Sequence, residues 1–282
     1  MLASGPDRVV CFTCDVEIDR EEDLRQFEQI LKLFDHYDIK GTFFIIVSAR
    51  NYPFLEDFNL PLRLERHEIG LHIHWGESCA PNNSRRRGLD SLLTSVLEKE
   101  MNQCLQYCRK LNFRPMSFRG GGLCQNTQAL RLISRLGFRV DSSVAAKLNQ
   151  KTAWFQKHLD VPYLSWYFPS KQSYDRPAHF SNEEMGILEI PVTRLIPSLR
   201  GWFPYTLEPT THIFKIIVNE WLLLRSQWEH PLVIVPIFHS WGESLQRLNF
   251  ERFLTRLRNS IRYLLRKRFV PLKMNEVYDL VA

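Results

Sequence analysis

The chain is poor in the features that would mark a fibrous, disordered, membrane-spanning or stapled protein. Glycine occurs 12 times and proline 15 times in 282 residues, with no periodic use of either, which excludes a collagen-like or low-complexity chain. No run reaches about 18 uncharged apolar residues, the length a bilayer-spanning helix needs. The most apolar stretch, residues 213–238, is cut by Lys215, Glu220, Arg225, Glu229 and His230. The first residues, MLASGPDRVV, lack a cationic start, an apolar core and a small-residue cleavage site, so the expected location is cytoplasmic. The six cysteines (11, 14, 79, 104, 108 and 124) are scattered, and free thiols in a reducing compartment are expected. The CxxC of Cys11 and Cys14 lacks a second Cys/His pair at zinc-finger spacing, which argues against a structural zinc site. No linker rich in Gly, Ser or Pro divides the sequence, so one domain over 1–282 is expected.

What the chain does contain is enough apolar residue for a sizeable core: 44% hydrophobic and 12% aromatic, with a modest net charge of +6. Its pattern alternates. Residues 9–17 (VVCFTCDVE) read as a strand ending in two carboxylates, and residues 20–38 place Leu24, Phe27, Ile30, Leu31 and Phe34 at helical spacing. The runs 41–47, 68–74, 116–122, 138–144, 187–195 and 232–239 read as further strands. Helices are expected near 89–112, 126–137, 209–228 and 248–267, and a last short strand and helical turn near the end. Residues 145–185 carry many aromatics but no period, and read as an excursion forming a lid or wall. Seven or eight strands alternating with helices imply an α/β fold with a parallel sheet, and the count favours a barrel.

Polar residues gather where those strands end. Asp15 and Glu17 are two apart, as are His72 and His74, so each pair shares one face of its strand. Arg119 precedes Gly120, Gly121 and Gly122, Asp141 follows on the next strand, and His239 closes an apolar late one. In a barrel these ends open on one face, where active sites assemble. A carboxylate with two histidines suits a catalytic divalent metal. The glycines would let backbone N–H groups approach an oxyanion. Each group alone has a plainer reading, as solvated acids, hydrogen-bonded core histidines or a tight turn.

Taken in order, FTCDVE, HEIGLHIHW, FRGGG, VDSSV and PIFHSW resemble the motifs of the polysaccharide deacetylase family with its NodB-homology domain, from about Val9 to Met274. The resemblance implies a distorted (β/α) barrel of about seven strands and metal-dependent removal of N- or O-acetyl groups from glycans. It implies Asp15 as catalytic base, Arg119 as the residue orienting it, His239 as general acid and Asp141 as the acid that tunes it. The family's usual second Asp is Val16 here, and its usual second His position is Gly76. Glu17 and His74 are the substitutes, giving Glu17, His72 and His74 as the metal set, with the division of base and ligand between Asp15 and Glu17 open. The expected ion is Zn2+, with Co2+, Ni2+ or Mn2+ as alternatives. Gly120 to Gly122 would face the oxyanion, and Trp241, with Trp75, Trp166, Tyr167 and Trp202, could stack on sugar.

The expected partner is a sugar or glycan precursor made inside the cell. Other readings are a same-fold hydrolase of a non-carbohydrate amide and a barrel that binds carbohydrate without chemistry. The basic segment 256–268 (RLRNSIRYLLRKR) reads as a barrel helix with a basic outer face. No specific nucleic-acid binding is expected, and at most weak association with membrane surfaces.

Overall fold

The computed structural model describes residues 5–75, 94–123, 125–144, 186–193, 207–224, 231–240 and 249–282. Ten strands lie among them: β1 (Arg8–Val10), β2 (Thr13–Val16), β3 (Thr42–Ile46), β4 (Glu68–Ile73), β5 (Ser117–Gly120), β6 (Val140–Asp141), β7 (Leu188–Glu189), β8 (Leu232–Ile234), β9 (Ile237–His239) and β10 (Val270–Pro271). Seven form one parallel sheet in the order β7-β6-β5-β4-β3-β2-β9, and β10-β1-β8 form a second. The two sheets are segments of the same long strands. β1 runs into β2 and β8 into β9, and the ladder slips where Pro236 has no N–H to give. Cys11 N–H still donates to the Ile234 carbonyl at 2.9 Å and Thr13 N–H to that of Pro236 at 3.1 Å.

The large sheet curls into a distorted barrel. Its seam between β7 and β9 is spanned by Thr193, whose N–H donates to the Val235 carbonyl while its Oγ1 accepts the Val235 N–H at 2.8 Å. Helices cover the outside, as all-parallel strands require. They are α1 (Glu21–His36), α2 (Tyr52–Asp57), α3 (Leu60–Arg63), α4 (Thr94–Lys110), α5 (Thr127–Arg135), α6 (Phe214–Leu224) and α7 (Phe250–Arg266), while α8 (Met274–Val281) packs against the interior at one end. The sequence pattern marked the longer ones. It missed α2 and α3, whose prolines sit in the first turn, where a missing N–H costs nothing.

Period-two alternation sorts the strand residues into two cores. Val10, Phe12, Cys14, Val16, Phe43, Ile45, Leu71 and Phe118 point outward to the helices. Val9, Cys11, Phe44, Val140, Leu188, Val233 and Val235 fill the interior with Met274 and Val277 of α8. Cys11 and Cys14 therefore lie on opposite faces and cannot share a ligand; with Cys104 and Cys108 they are free thiols. At the strand N-terminal end, α8 starts against the barrel. Buried Glu68 accepts the Asn275 N–H at 3.0 Å and the Thr42 hydroxyl at 3.0 Å, and Thr42 Oγ1 accepts the Met274 N–H. A carboxyl at a helix N-terminus satisfies donors that the first turn leaves unpaired.

The lid or wall expected at 145–185, with Trp166 and Tyr167, lies outside the described residues, as do Trp202 and Trp241. No helix among the described residues is long and apolar enough to cross a membrane.

Candidate catalytic and metal site

The interior alternation continues into the polar ends of the strands. On β2, Thr13 and Asp15 face inward with the next alternate residue, Glu17. On β4 the inward series is Glu68, Gly70 and His72, continued by His74. Register carries the same face across the sheet: Asp15 pairs with His239 of β9, and His72 with Arg119 of β5. One wall of the barrel mouth thus collects two carboxylates, three imidazoles and a guanidinium from residues 15 to 239. That is why the group cannot be read from any one segment.

Arg119 is fully buried. Its Nη1 donates to Asp15 Oδ1 at 2.8 Å and to the Thr13 hydroxyl at 3.0 Å. Nε donates to the Ser142 carbonyl at 3.0 Å and Nη2 to the Ser142 hydroxyl at 2.9 Å. The guanidinium stacks over the Phe44 ring at 4.2 Å, a favourable cation–π contact in a dry site. Gly70 admits that ring, since a Cβ there would meet Phe44 Cδ1 at 2.5 Å.

Asp15 Oδ2 faces the imidazoles, 3.9 Å from His72 Nε2 and 3.7 Å from His239 Nε2. Burial pushes the Asp15 carboxyl up, but Arg119, His72 and His239 outweigh it and hold it below its ordinary value. His239 is 40% exposed and therefore reachable from solvent.

Glu17, His72 and His74 form a separate triangle. Their donor atoms all lie within 4.8 Å of one another: His72 and His74 Nε2 are 3.1 Å apart, and Glu17 Oε1 is 3.4 Å from His74 Nε2 and 3.8 Å from His72 Nε2. With metal–nitrogen bonds of about 2.0–2.1 Å, neighbouring ligands of a tetrahedral ion sit about 3.3 Å apart, so the triangle has the right size. The His72 ring is oriented for the task. Its Nδ1–H donates to the Arg119 carbonyl at 2.9 Å, which leaves the Nε2 lone pair for an ion. Burial lowers the pKa of His72 and favours the neutral imidazole that a metal requires. For Glu17 burial raises the pKa, but the His74 hydrogen bond and the His72 charge bring it below its ordinary value. The donor set fits a divalent ion such as zinc, and it separates the two carboxylates: Glu17 sits with the histidines, Asp15 with Arg119.

The three glycines are not equivalent. Gly120 N–H is already used, donating to the Ser143 hydroxyl at 2.8 Å. Gly121 makes room for the His74 ring: a Cβ there would lie 2.5 Å from His74 Cδ2. Gly122 adopts φ 63°, the left-handed turn into the next helix, where glycine carries no steric penalty. Gly121→Ala is therefore expected to displace the His74 ring and weaken zinc affinity about 10–100-fold, the usual effect of disturbing a ligand's support. Zinc titration against a folding control checks this; unchanged affinity contradicts it.

Asp141 is not brought into the group. It pairs in register with outward-facing Phe118, not with an inward residue, so its side chain leaves the barrel interior. It accepts Gln125 Nε2 at 2.7 Å and the Ser143 hydroxyl, and it shares a hydrogen bond with buried Glu189. The expectation that it tunes His239 by contact is replaced by a structural role: Asp141, Ser143 and the Gly120 N–H tie β6 to β5. Burial, then the Asp141 charge, raises Glu189 well above its ordinary value, so one proton is shared between the two carboxyls. The folded state holds a proton that the unfolded chain releases as pH rises past the ordinary value of 4.5. This contribution to stability is present below that pH and is lost as pH rises toward the folded value. Glu189→Gln keeps a donor and removes the penalty. Its Tm is expected to exceed the parent's at pH 7–8, with the gain shrinking at acid pH; a gain that does not depend on pH contradicts the shared proton.

The residues that sequence reasoning missed are Thr13, Phe44, Gly70, Ser142 and Glu189. Thr13 was findable, lying two before Asp15 on the same face. The others act through neighbours distant in sequence and leave no local signal. Trp75, considered for sugar stacking, packs its ring against Phe118 at 5.6 Å.

No protein-family model and no curated protein matches the chain. Solved structures do. One, assigned as a polysaccharide deacetylase from Mycobacterium smegmatis, superposes with a TM-score of 0.60 at 16% identity, covering 99% of this chain and 91% of the other. The fold is that of the polysaccharide deacetylases. A structure assigned as a glycoside hydrolase/deacetylase from Parabacteroides distasonis shares the deacetylase fold with a TM-score of 0.68 at 11% identity, over 99% of this chain and 72% of that one. A third is a CE4 family pseudoenzyme from Bacillus anthracis, with a TM-score of 0.52 at 13% identity over 97% and 66%. The deacetylase fold is thus shared by a protein described as a pseudoenzyme, so activity has to be argued from this chain's own residues.

Proposed function

We propose that this chain is a divalent-metal-dependent hydrolase that removes an acetyl group, N-linked or O-linked, from a sugar or glycan precursor. The observation that carries the reading is the juxtaposition of two sets at one barrel mouth. Glu17, His72 and His74 can hold an ion, and the buried Asp15–Arg119 pair stands beside the solvent-reachable His239.

A divalent ion held by Glu17, His72 and His74, zinc before cobalt, nickel or manganese, would polarise the acetyl carbonyl and lower the pKa of a water. Asp15 takes the proton from the attacking water. Arg119 fixes its orientation through Oδ1 and keeps it ionised, leaving Oδ2 as the basic oxygen. His239, on the other side of Asp15 from His72, gives a proton to the departing sugar nitrogen or oxygen. Division of labour between a buried base and an exposed acid suits a reaction in which water attacks from inside and the leaving group departs outward.

The test is acetate release from a panel of N-acetylated sugars, nucleotide-linked and lipid-linked glycan precursors, and small cyclic amides. Acetate release that a chelator abolishes and zinc restores supports the reading. Turnover of the amides alone moves the chain to another reaction of the same fold, and no turnover with tight glycan binding makes it a binding barrel.

A further inference from the structure

The opposite end of the barrel carries a second polar concavity that the proposed reaction does not use. Arg8 opens β1 and Val270 opens β10, whereas Asp15, His72, Arg119 and His239 lie at or near the ends of their strands. Between those openings and the C-terminus of α7 lies an open cleft of about 530 Å³ lined by Arg8, Arg266, Lys267, Arg268, Asp7 and Val270, among others. Four cations face one acid there.

Among the described residues their charges meet no carboxylate. Elsewhere among the described residues seven arginines, Arg20, Arg25, Arg50, Arg63, Arg66, Arg135 and Arg139, form ion pairs, while others such as Arg109, Arg256 and Arg262 meet carbonyl or hydroxyl oxygens instead. The four cleft cations form no ion pair among the described residues. Arg8 Nη1 donates to the Lys267 carbonyl at 2.9 Å, Arg266 Nε to the Arg262 carbonyl at 3.3 Å, and Lys267 Nζ lies over the Tyr263 ring.

A simpler account is that cations complement the negative end of a helix. It covers Arg266 and Lys267, and it covers one nitrogen of Arg8, whose Nη1 donates to the carbonyl of the C-cap residue Lys267; it does not account for the rest of the Arg8 guanidinium. Nor does it explain Arg268, which follows the helix at φ 60°. That left-handed position is the one glycine fills most cheaply, so an arginine is kept there at a conformational cost. The carbonyls that would repel an anion are turned to internal partners: those of Tyr263, Leu264 and Leu265 accept the N–H groups of Lys267, Phe269 and Arg268.

We infer that this basal cleft is a binding site for a phosphate-bearing anion, supplied either by a soluble compound or by the headgroup of an anionic lipid. Arginine forks and a lysine point charge are the donors that phosphate oxygens take, and the volume lies in the range of small-molecule sites. The site is independent of the hydrolase reading, since no residue is shared.

Two arms distinguish the sources. Calorimetry with inorganic pyrophosphate probes the soluble one, and co-sedimentation with phosphatidylcholine vesicles, with or without phosphatidylglycerol, probes the lipid. Arg268→Gly is the informative variant because it relieves the left-handed strain while removing a charge. It is expected to match or exceed the parent in Tm and to bind about five-fold more weakly, and Arg266→Gln is expected to lose about as much again. Pyrophosphate binding with this loss assigns the soluble source; binding only to phosphatidylglycerol vesicles with this loss assigns the lipid. No binding in either arm, or binding that both variants retain in full, overturns the site.

Discussion

Asp15→Asn is expected to lower kcat/KM for acetate release by about 10²–10⁴-fold, the range a positioned general base contributes. The substitution preserves shape, and its amide oxygen still accepts from Arg119 Nη1. What it removes is the charge that keeps Oδ2 basic. It also leaves a fully buried guanidinium without its carboxylate, and breaking a buried pair by removing one partner costs about 3–5 kcal/mol. Stability should therefore fall together with activity. The pH dependence separates the two effects. Folding holds the Asp15 carboxyl below its ordinary 3.8, so the unfolded chain binds the proton first as pH drops. The parent's Asp15 contribution is complete above that pH and disappears as pH falls through the folded value. The stability gap between parent and Asp15→Asn should narrow at acid pH, measured by denaturant unfolding at fixed low temperature. A gap independent of pH, or a variant with parental turnover, contradicts the role assigned to Asp15.

His239→Gln should give the contrasting pattern. The side chain is 40% exposed but 3.7 Å from buried Asp15 Oδ2, so the substitution should cost about 1 kcal/mol or less, well below the cost of Asp15→Asn. Losing the proton donor should lower kcat by about 10²–10⁴-fold with little change in KM, because the contribution is made in the transition state. The loss should be smaller for substrates whose leaving group is a better acid, such as an aryl acetate, which departs without help. Equal losses on sugar and aryl substrates would make His239 a binding residue instead of the acid.

Much of this arrangement is legible in the sequence. Spacing of two predicts Asp15 and Glu17 on one face, and the structure places Asp15 inward beside Arg119 and Glu17 beside His74. The same rule pairs His72 with His74. Alternation of strand and helix gave the barrel. What local pattern cannot give is register across strands, and there the reading of Asp141 fails. One residue of offset on β6 decides whether an acid faces the mouth or the helices, and Phe118 across the ladder settles it outward. The glycines illustrate a second limit. FRGGG marks a special backbone, but which N–H is free depends on Ser143, and why Gly121 lacks a side chain depends on His74.

The metal triangle is the part on which the account stands or falls. Equilibrium dialysis of the purified chain against zinc, with elemental analysis, measures it directly. The account predicts one tightly held ion per chain, lost in His72→Ala and weakened in Glu17→Gln, with Asp15→Asn still loading. A parent chain that binds no divalent ion, or one whose binding survives both ligand substitutions, would contradict it.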